Sequence, residues 1–303
     1  MSDEFILHHY DTSPFSEKPR LMFGLRGLAW RSVIQPTIMP KPDLVPLTGG
    51  YRRAPVMQIG ADIFCDSQVI LAEIDRRTGA ASDGLGWALN LWSDKLFFQS
   101  SVAVIFGEIG ESVPRAFIED REKLMGRPFD VAAMKAAGAP MRAQWRTQAG
   151  WIDDALAAAG PFLAGDKAGL ADITAYMNIW FMLSFAPHVG EPLLAGLNHL
   201  AAWRERVKAI GHGRRGEMTT AEALDVARAA EPAETIAHDR SDPLGLQPGA
   251  PVAVSADDYG RDPILGRLVA ANRERVVIAR EDGDLGRLHV HFPRAGYIVT
   301  QSA

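Results

Sequence analysis

The chain has 303 residues, enough for about two domains, or three if one is small. Hydrophobic residues at 47% and charged residues at 23% are the composition of a folded protein and exclude a disordered one. A net charge of −5 gives no global attraction to nucleic acid or to an anionic membrane face, so neither is expected as a partner.

The single cysteine, Cys65, allows no internal disulfide and fits a reducing compartment. The acidic start, Met1 to Glu4, leads into only a short apolar stretch, Phe5-Ile6-Leu7, which does not make a signal peptide. The longest apolar stretch, over 175–186, is broken by Asn178 and Ser184 and is too short to span a bilayer. A soluble, cytoplasmic protein is expected.

In chain order, Phe5-Ile6-Leu7 predicts a strand and 14–27 a helix with Leu21, Met22, Leu25 and Leu28 on one face. Pro19 fits that helix if it begins near Ser16, where the missing N–H falls in the first turn. A strand over 30–34 follows, then a loop over 36–50 holding four prolines and a Gly-Gly pair. Two strands, 54–59 and 62–65, turn at Gly60, and a helix over 67–77 closes the unit. From Leu85 the period lengthens, predicting helices over 89–107, 115–124, 131–159, 170–185, 193–210 and 220–230. The stretch 231–249, with three prolines, is read as a linker. Beyond it the period returns to two: Leu288, Val290 and Phe292 share one face, with His289 and His291 on the other. Four or five strands there predict a small barrel or curled sheet, too small to be stable alone and therefore docked on the helices.

Three short stretches carry chemistry. Ser13 stands in a loop before a helix N-terminus, where a hydroxyl either caps the helix or donates to a thiolate and lowers a thiol pKa from about 8.5. Arg53-Ala54-Pro55 places a proline before a buried strand; it is either a trans edge proline or a cis turn that frees neighbouring backbone groups for an extended peptide. Asp66-Ser67 opens the next helix, either as an N-cap or as a site for an amino-acid ammonium and carboxylate.

In their order and spacing, Ser13-Pro14-Phe15 through Arg20, Ala54-Pro55-Val56, Asp66-Ser67, and Phe162-Leu163-Ala164-Gly165-Asp166 through Ala171-Asp172-Ile173 make residues 5–210 resemble the glutathione transferase superfamily. The resemblance implies an α/β thioredoxin-like domain over 1–80 and an all-α bundle domain over 85–230. A linker over 231–248 and a small all-β, barrel-like domain over 249–303 follow. It implies Pro55 as the cis-proline, Ala54 pairing with the cysteinyl backbone of glutathione, Asp66 and Ser67 on its γ-glutamyl end, and Arg53 near its glycine carboxylate. Ser13 matches the sulfur-contacting position of serine- and cysteine-type members. Tyr10 is its rival, although its spacing to Arg20 is about one residue short of the tyrosine type.

Two departures stand out. Gly169 replaces the hydroxyl residue that usually precedes the aspartate matched by Asp172, which predicts a weaker cap and a structural role for Asp172. No cysteine lies near Ser13, which excludes mixed-disulfide chemistry there. The implied activity is attack of the glutathione thiolate on an electrophilic small molecule, with glutathione as co-substrate, no metal, and a homodimer. The alternative is a non-catalytic binding or assembly module. His289 and His291 lack an evident third metal ligand and are read as solvent-facing. Asp153-Asp154 is read as helix surface and Asp257-Asp258 as a turn. Arg214-Arg215 is placed in a Gly-rich loop. Trp92, Phe97, Phe98 and Phe106 are assigned to packing ahead of a substrate pocket.

Overall fold

The computed structural model describes residues 4–81, 83–233 and 236–302. Strand β1 (Phe5–His9) is buried throughout and runs parallel to β2 (Ala29–Ile34). The crossover that a parallel pair requires is helix α1 (Pro14–Leu25). Because α1 opens at Pro14 rather than near Ser16, Pro19 stands in its second turn and offers no N–H to the Phe15 carbonyl. The proline-rich loop holds a short helix, α2 (Val45–Thr48). Then β3 (Val56–Ile59) pairs antiparallel with β1, β4 (Asp62–Cys65) with β3, and α3 (Ser67–Thr78) completes a thioredoxin-like unit. The two-residue period sorts the side chains of β3 and β4 between two cores. Met57 and Phe64 join the helices, whereas Val56, Ile63 and Cys65 face the other way.

The expected helix over 89–107 begins earlier, as α4 (Gly84–Trp92), and passes through a π-helical turn, Ser93–Phe97, into α5 (Phe98–Ile109). After α6 (Arg115–Met125), the expected helix over 131–159 is two, α7 (Val131–Ala136) and α8 (Gly138–Ala159). Pro140 has no N–H for the Ala136 carbonyl, and α7 stops there. Helix α9 (Leu170–Phe185) coincides with its prediction and is buried nearly all round, the mark of a central helix. Its Asn178 donates to the carbonyl and hydroxyl oxygens of Ser93, at 3.0 and 2.9 Å, and accepts from Ser101 Oγ at 2.9 Å. The expected helix over 193–210 is also split, into α10 (Pro187–Leu194) and α11 (Asn198–Ile210), by a turn in which Gly196 adopts a φ of 86°. Asp172 accepts from the Gly169 N–H at 2.9 Å, from Leu163 N–H at 2.9 Å and from Trp203 Nε1–H at 2.7 Å, a structural cap.

Arg214-Arg215 lies not in a loop but in strand β5 (Arg214–Glu217), parallel to β2. Its side chains are largely exposed, so backbone pairing alone makes it a strand and no alternation announces it. After α12 (Thr220–Arg228) come β6 (Pro251–Ala256), β7 (Ile264–Ala271), β8 (Arg275–Asp282), β9 (Gly286–Pro293) and β10 (Tyr297–Gln301). These five strands do not close into a barrel. They extend the first sheet into one open sheet ordered β10-β6-β7-β8-β9-β4-β3-β1-β2-β5. The join is β9 running parallel to β4, with Asp62, Ile63 and Phe64 opposite His289, Val290 and His291. The C-terminal strands therefore dock primarily on the thioredoxin-like sheet, whose edge groups need partners, rather than on the helices. Leu44, Leu47, Ile63 and Cys65 share one core with Val252, Ile278, Val290 and Phe292.

The pairing also corrects the reading of His289 and His291 as solvent-facing. His291 is buried, donates Nε2–H to Asp62 Oδ1 at 2.9 Å and stacks on Phe64, and His289 is half-buried. Among the described residues no helix is long and apolar enough to cross a membrane.

Two buried ion networks tie these layers. Lys18 on α1 is fully buried and donates to both carboxylate oxygens of Asp94, at 2.7 and 2.8 Å, and to Asn90 Oδ1 at 3.0 Å. Lys18→Met should lower stability to urea by about 3 kcal/mol, because it strands the Asp94 charge, and Lys18→Met/Asp94→Leu should recover most of that loss. Glu73 on α3, also buried, pairs with Arg76, Arg77 and, across the sheet, Arg275 at 2.9 Å. Burial pushes its carboxyl up, but Arg76 and Arg275 outweigh burial and hold it at about 2, below the ordinary 4.5. A depressed acid stabilises the fold fully above its ordinary pKa, and the contribution is lost as pH falls through about 2. Glu73→Gln should therefore cost about 3 kcal/mol near neutral pH, and its deficit should shrink as unfolding is measured from about pH 5 down to about pH 2.

Candidate functional site

Asp66 precedes α3 with a φ of 95°, the one non-glycine residue among those described with a positive φ. Such a conformation is uncommon in a side-chain-bearing residue and is found where surrounding contacts enforce it. Its Oδ1 accepts from Gln68 N–H at 2.8 Å, so it does cap the helix, while Oδ2 accepts from the Tyr297 hydroxyl at 3.0 Å. Ser67, buried, is the first helical residue beside it. The Ala54–Pro55 peptide is cis, and so is Met39–Pro40, which local sequence did not single out. Arg53, Ala54, Pro55, Asp66 and Ser67 line one small recess.

Ser13 caps α1: its Oγ accepts from Ser16 N–H at 3.2 Å, and its own N–H donates to the Tyr10 carbonyl at 3.0 Å. An Oγ that accepts from the helix keeps its own proton for another acceptor. Ser13 and Tyr10 both line a large apolar cavity of about 500 Å³ between the sheet and the helices. Phe98 and Phe106 of α5 line it too, whereas Phe97 is fully buried and Trp92 stacks on it at 5.1 Å, so packing accounts for only half of those four aromatics. Phe15, Arg53, Ala54 and Tyr259 belong to both the recess and the cavity, which makes them one continuous site.

The C-terminal sheet supplies the wall that the sequence did not reveal. The Arg53 guanidinium donates to Asp258 Oδ1 at 2.6 Å and lies 3.9 Å from the centre of the Tyr259 ring. Lys95 of the π-helical turn pairs with Asp257 at 2.9 Å and Asp258 at 3.4 Å, so Asp257-Asp258 is a clasp as well as a turn. Burial raises the Asp258 carboxyl, but the Arg53 charge, the Tyr259 N–H and the Lys95 charge together hold it below its ordinary value. Burial first, and then the neighbouring Asp66 charge, push the Tyr297 hydroxyl well above its ordinary value, which keeps it a donor. It also meets the buried Tyr51 hydroxyl at 3.3 Å. No local pattern marks Tyr51, Asp258, Tyr259 or Tyr297, because their role comes from strand pairing far along the chain.

Residues 7–82 match the family described as "Glutathione S-transferase, N-terminal domain", and residues 126–206 match "Glutathione S-transferase, C-terminal domain". A GST-like protein from Pseudomonas syringae, solved as a crystal structure, is 33% identical, with 99% of this chain and 100% of that chain covered and a TM-score of 0.81. The chain belongs to the glutathione S-transferase family.

Other glutathione S-transferases share the fold at lower identity. The tau-class enzyme of mango, Mangifera indica, is 16% identical, covering 69% of this chain and 90% of its own, with a TM-score of 0.53. A glutathione S-transferase from Rhodospirillum rubrum is 21% identical, covering 68% and 88%, with a TM-score of 0.50. No curated protein matches the sequence. The Pseudomonas protein spans the C-terminal strands as well, whereas the other two leave about a third of this chain uncovered.

In this family member the seven residues singled out from sequence fall into two groups that meet at Arg53 and Ala54: Asp66, Ser67 and Pro55 on one side, Ser13 and Tyr10 on the other. His8 and His9 are structural. His8 Nε2 meets Gln58 Oε1 at 2.9 Å, His9 Nε2 meets Ser32 Oγ at 3.0 Å, and burial lowers the two imidazoles to about 4 and about 3, leaving them neutral. Cys65 is buried, and burial pushes its thiol up, which suits packing rather than reaction. Asp153 Oδ1 accepts from Leu200 N–H at 2.8 Å and so holds the start of α11.

Proposed function

We propose that this protein binds glutathione along the continuous site and that Ser13 stabilises its thiolate for attack on an electrophile in the apolar cavity. The observation that carries the reading is the continuity itself. A helix N-terminus with a carboxylate and a serine, a backbone turn at Ala54-Pro55, and a second helix N-terminus with a buried hydroxyl line one surface that opens into an apolar chamber. In that arrangement Asp66 takes the γ-glutamyl ammonium and Ser67 with its helix N–H groups takes the carboxylate. Ala54 pairs with the cysteinyl backbone, and Arg53 faces the glycine carboxylate. The Ser13 proton and the positive end of α1 then favour the thiolate over the thiol. Catalysis is thiolate activation plus proximity, and Ser13 forms no covalent bond. Tyr10, on the same cavity wall, is the other candidate for the sulfur contact. A homodimer in the cytoplasm belongs to the same reading, and sedimentation velocity tests the dimer.

A second reading has its own observation. The Tyr297 hydroxyl already satisfies Asp66, and Asp258 already satisfies Arg53, so the groups meant for the tripeptide are engaged by the chain itself. That favours a binding or assembly module in which the glutathione site is closed. Under the first reading, glutathione exchanges with both contacts.

Calorimetry with glutathione separates the two. Micromolar-to-millimolar binding should be weakened about tenfold or more by Ser67→Ala and tightened severalfold by Tyr297→Phe, which frees Asp66 of its competitor. Ser13→Ala should keep most of the binding but lower turnover of an activated aryl chloride, from which the thiolate displaces chloride, by about ten- to a thousandfold. A folded wild type and Tyr297→Phe variant that both ignore glutathione would leave the module as the better account.

A further inference from the structure

The large cavity carries a charge imbalance that thiol activation does not use. Its apolar walls include Phe98 stacked on Phe181 at 5.8 Å and a cluster of Phe106, Phe117 and Phe129 with ring centres 5.0 to 6.5 Å apart. Among the residues lining it are four cations, Lys41, Arg52, Arg53 and Arg121, and no carboxylate. Arg53 is neutralised by Asp258. Arg52 and Arg121 share a single carboxylate, Asp120, which also accepts from Met39 N–H at 3.0 Å. Lys41 has no carboxylate within ion-pair distance among the described residues. It is 4% exposed, donates one hydrogen bond, to the Arg52 carbonyl at 2.9 Å, and lies 5.9 Å from the centre of the Tyr10 ring. An ammonium carries three N–H donors, so two stay available. Lys41, Arg52 and Arg121 against Asp120 leave two positive charges in excess at an apolar chamber, where a desolvated cation costs most unless an anion joins it.

We propose that the cavity's second ligand is an amphipathic carboxylate, an alkyl or aryl body lying against the phenylalanines with its carboxylate on Lys41 and Arg121. The chamber is of the size that encloses a small organic molecule, and the phenylalanine walls supply the burial such a body needs. The cations fix which end of the ligand points where. Arg121 lies 4.2 Å from the centre of the Phe117 ring, which sets its charge beside the apolar wall, and its two terminal nitrogens donate to Asp120 and to the Thr37 carbonyl, each with a further N–H to offer. Burial, and then the charges of Arg121 and Arg52, lower the Lys41 ammonium to about 8, with Asp120 opposing them. Lys41 is thus a cation below about pH 8 and loses its charge above it, and carboxylate affinity should fall across that value. The inference names the substrate class for the site proposed above, yet the binding it asserts is measured without glutathione.

The test compares dodecanoate, dodecanol and dodecyltrimethylammonium, each below its micelle concentration, by calorimetry on the full chain near pH 7. Dodecanoate should bind about tenfold or more tightly than dodecanol, and the ammonium amphiphile least of all. In Lys41→Met and in Arg121→Met the dodecanoate advantage should drop to about threefold or less, and in Lys41→Met its loss between about pH 7 and about pH 9 should disappear. Equal affinity for alcohol and carboxylate, no binding by any of the three, or variants that keep the full preference would overturn the proposal. A parallel glutathione titration of the same samples keeps the two readings apart. Glutathione binding without a carboxylate preference sinks this inference alone, and the preference without glutathione binding sinks only the thiolate reading.

Discussion

The hydrogen-bonded edge between β4 and β9 is the constraint on which the rest of the molecule turns. A thioredoxin-like sheet that stopped at β4 would leave a row of N–H and C=O groups without partners and one face of β3 and β4 without a cover. Running β9 parallel to β4 answers both needs, because Val290 and Phe292 then face Ile63 and Cys65 in a common core. The register also sets Asp62 opposite His289 and brings His291 within 2.9 Å of its carboxylate, so a polar pair sits inside the join without an unmet charge. The Arg275–Glu73 pair clamps the same junction from α3.

The site inherits its shape from that edge. With β9 fixed, β10 and the loop after β6 carry Tyr297, Asp258 and Tyr259 over the N-terminus of α3 and the Ala54-Pro55 turn. The fold's other anchors act at shorter range. Lys18 joins α1 to the π-helical turn, next to the Lys95 that receives Asp257 and Asp258. The helical layer, the first sheet and the C-terminal strands therefore meet around one recess, and each contributes charged groups to it.

What the sequence disclosed follows the range of the interactions involved. Helix α9 was legible because its long apolar run follows its own N-terminal cap at Gly169 and Asp172, and β4 with Ser67 was legible because the turn at Gly60 and the cap at Asp66 are local. The splits at Ala137 and Gly196 were missed, since Pro140 and a positive-φ glycine act on the backbone without disturbing the apolar period. Strand β5 gave no sign because its exposed polar side chains need no alternation, and the β4–β9 join gave none because nothing in either strand names its neighbour. Of the site, Ser13, Arg53, Ala54, Pro55, Asp66 and Ser67 could be picked out from motif order, and Tyr297 and Asp258 could not, since only the remote pairing gives them a role.

Joining residue 62 to residue 289 also sets the order in which the molecule can be finished. Strands β1 to β4 pair with one another within residues 5–65, whereas the β4–β9 pairing spans more than two hundred residues. Closure entropy rises slowly with such a span, so the final pairing is thermodynamically cheap, but pairings this far apart form late. Until β9 pairs with β4, Tyr297 and Asp258 have no anchor over the recess, and Asp66 and Arg53 lack these two partners. Occupancy of the recess by Tyr297 and Asp258 then depends on the β4–β9 join being made.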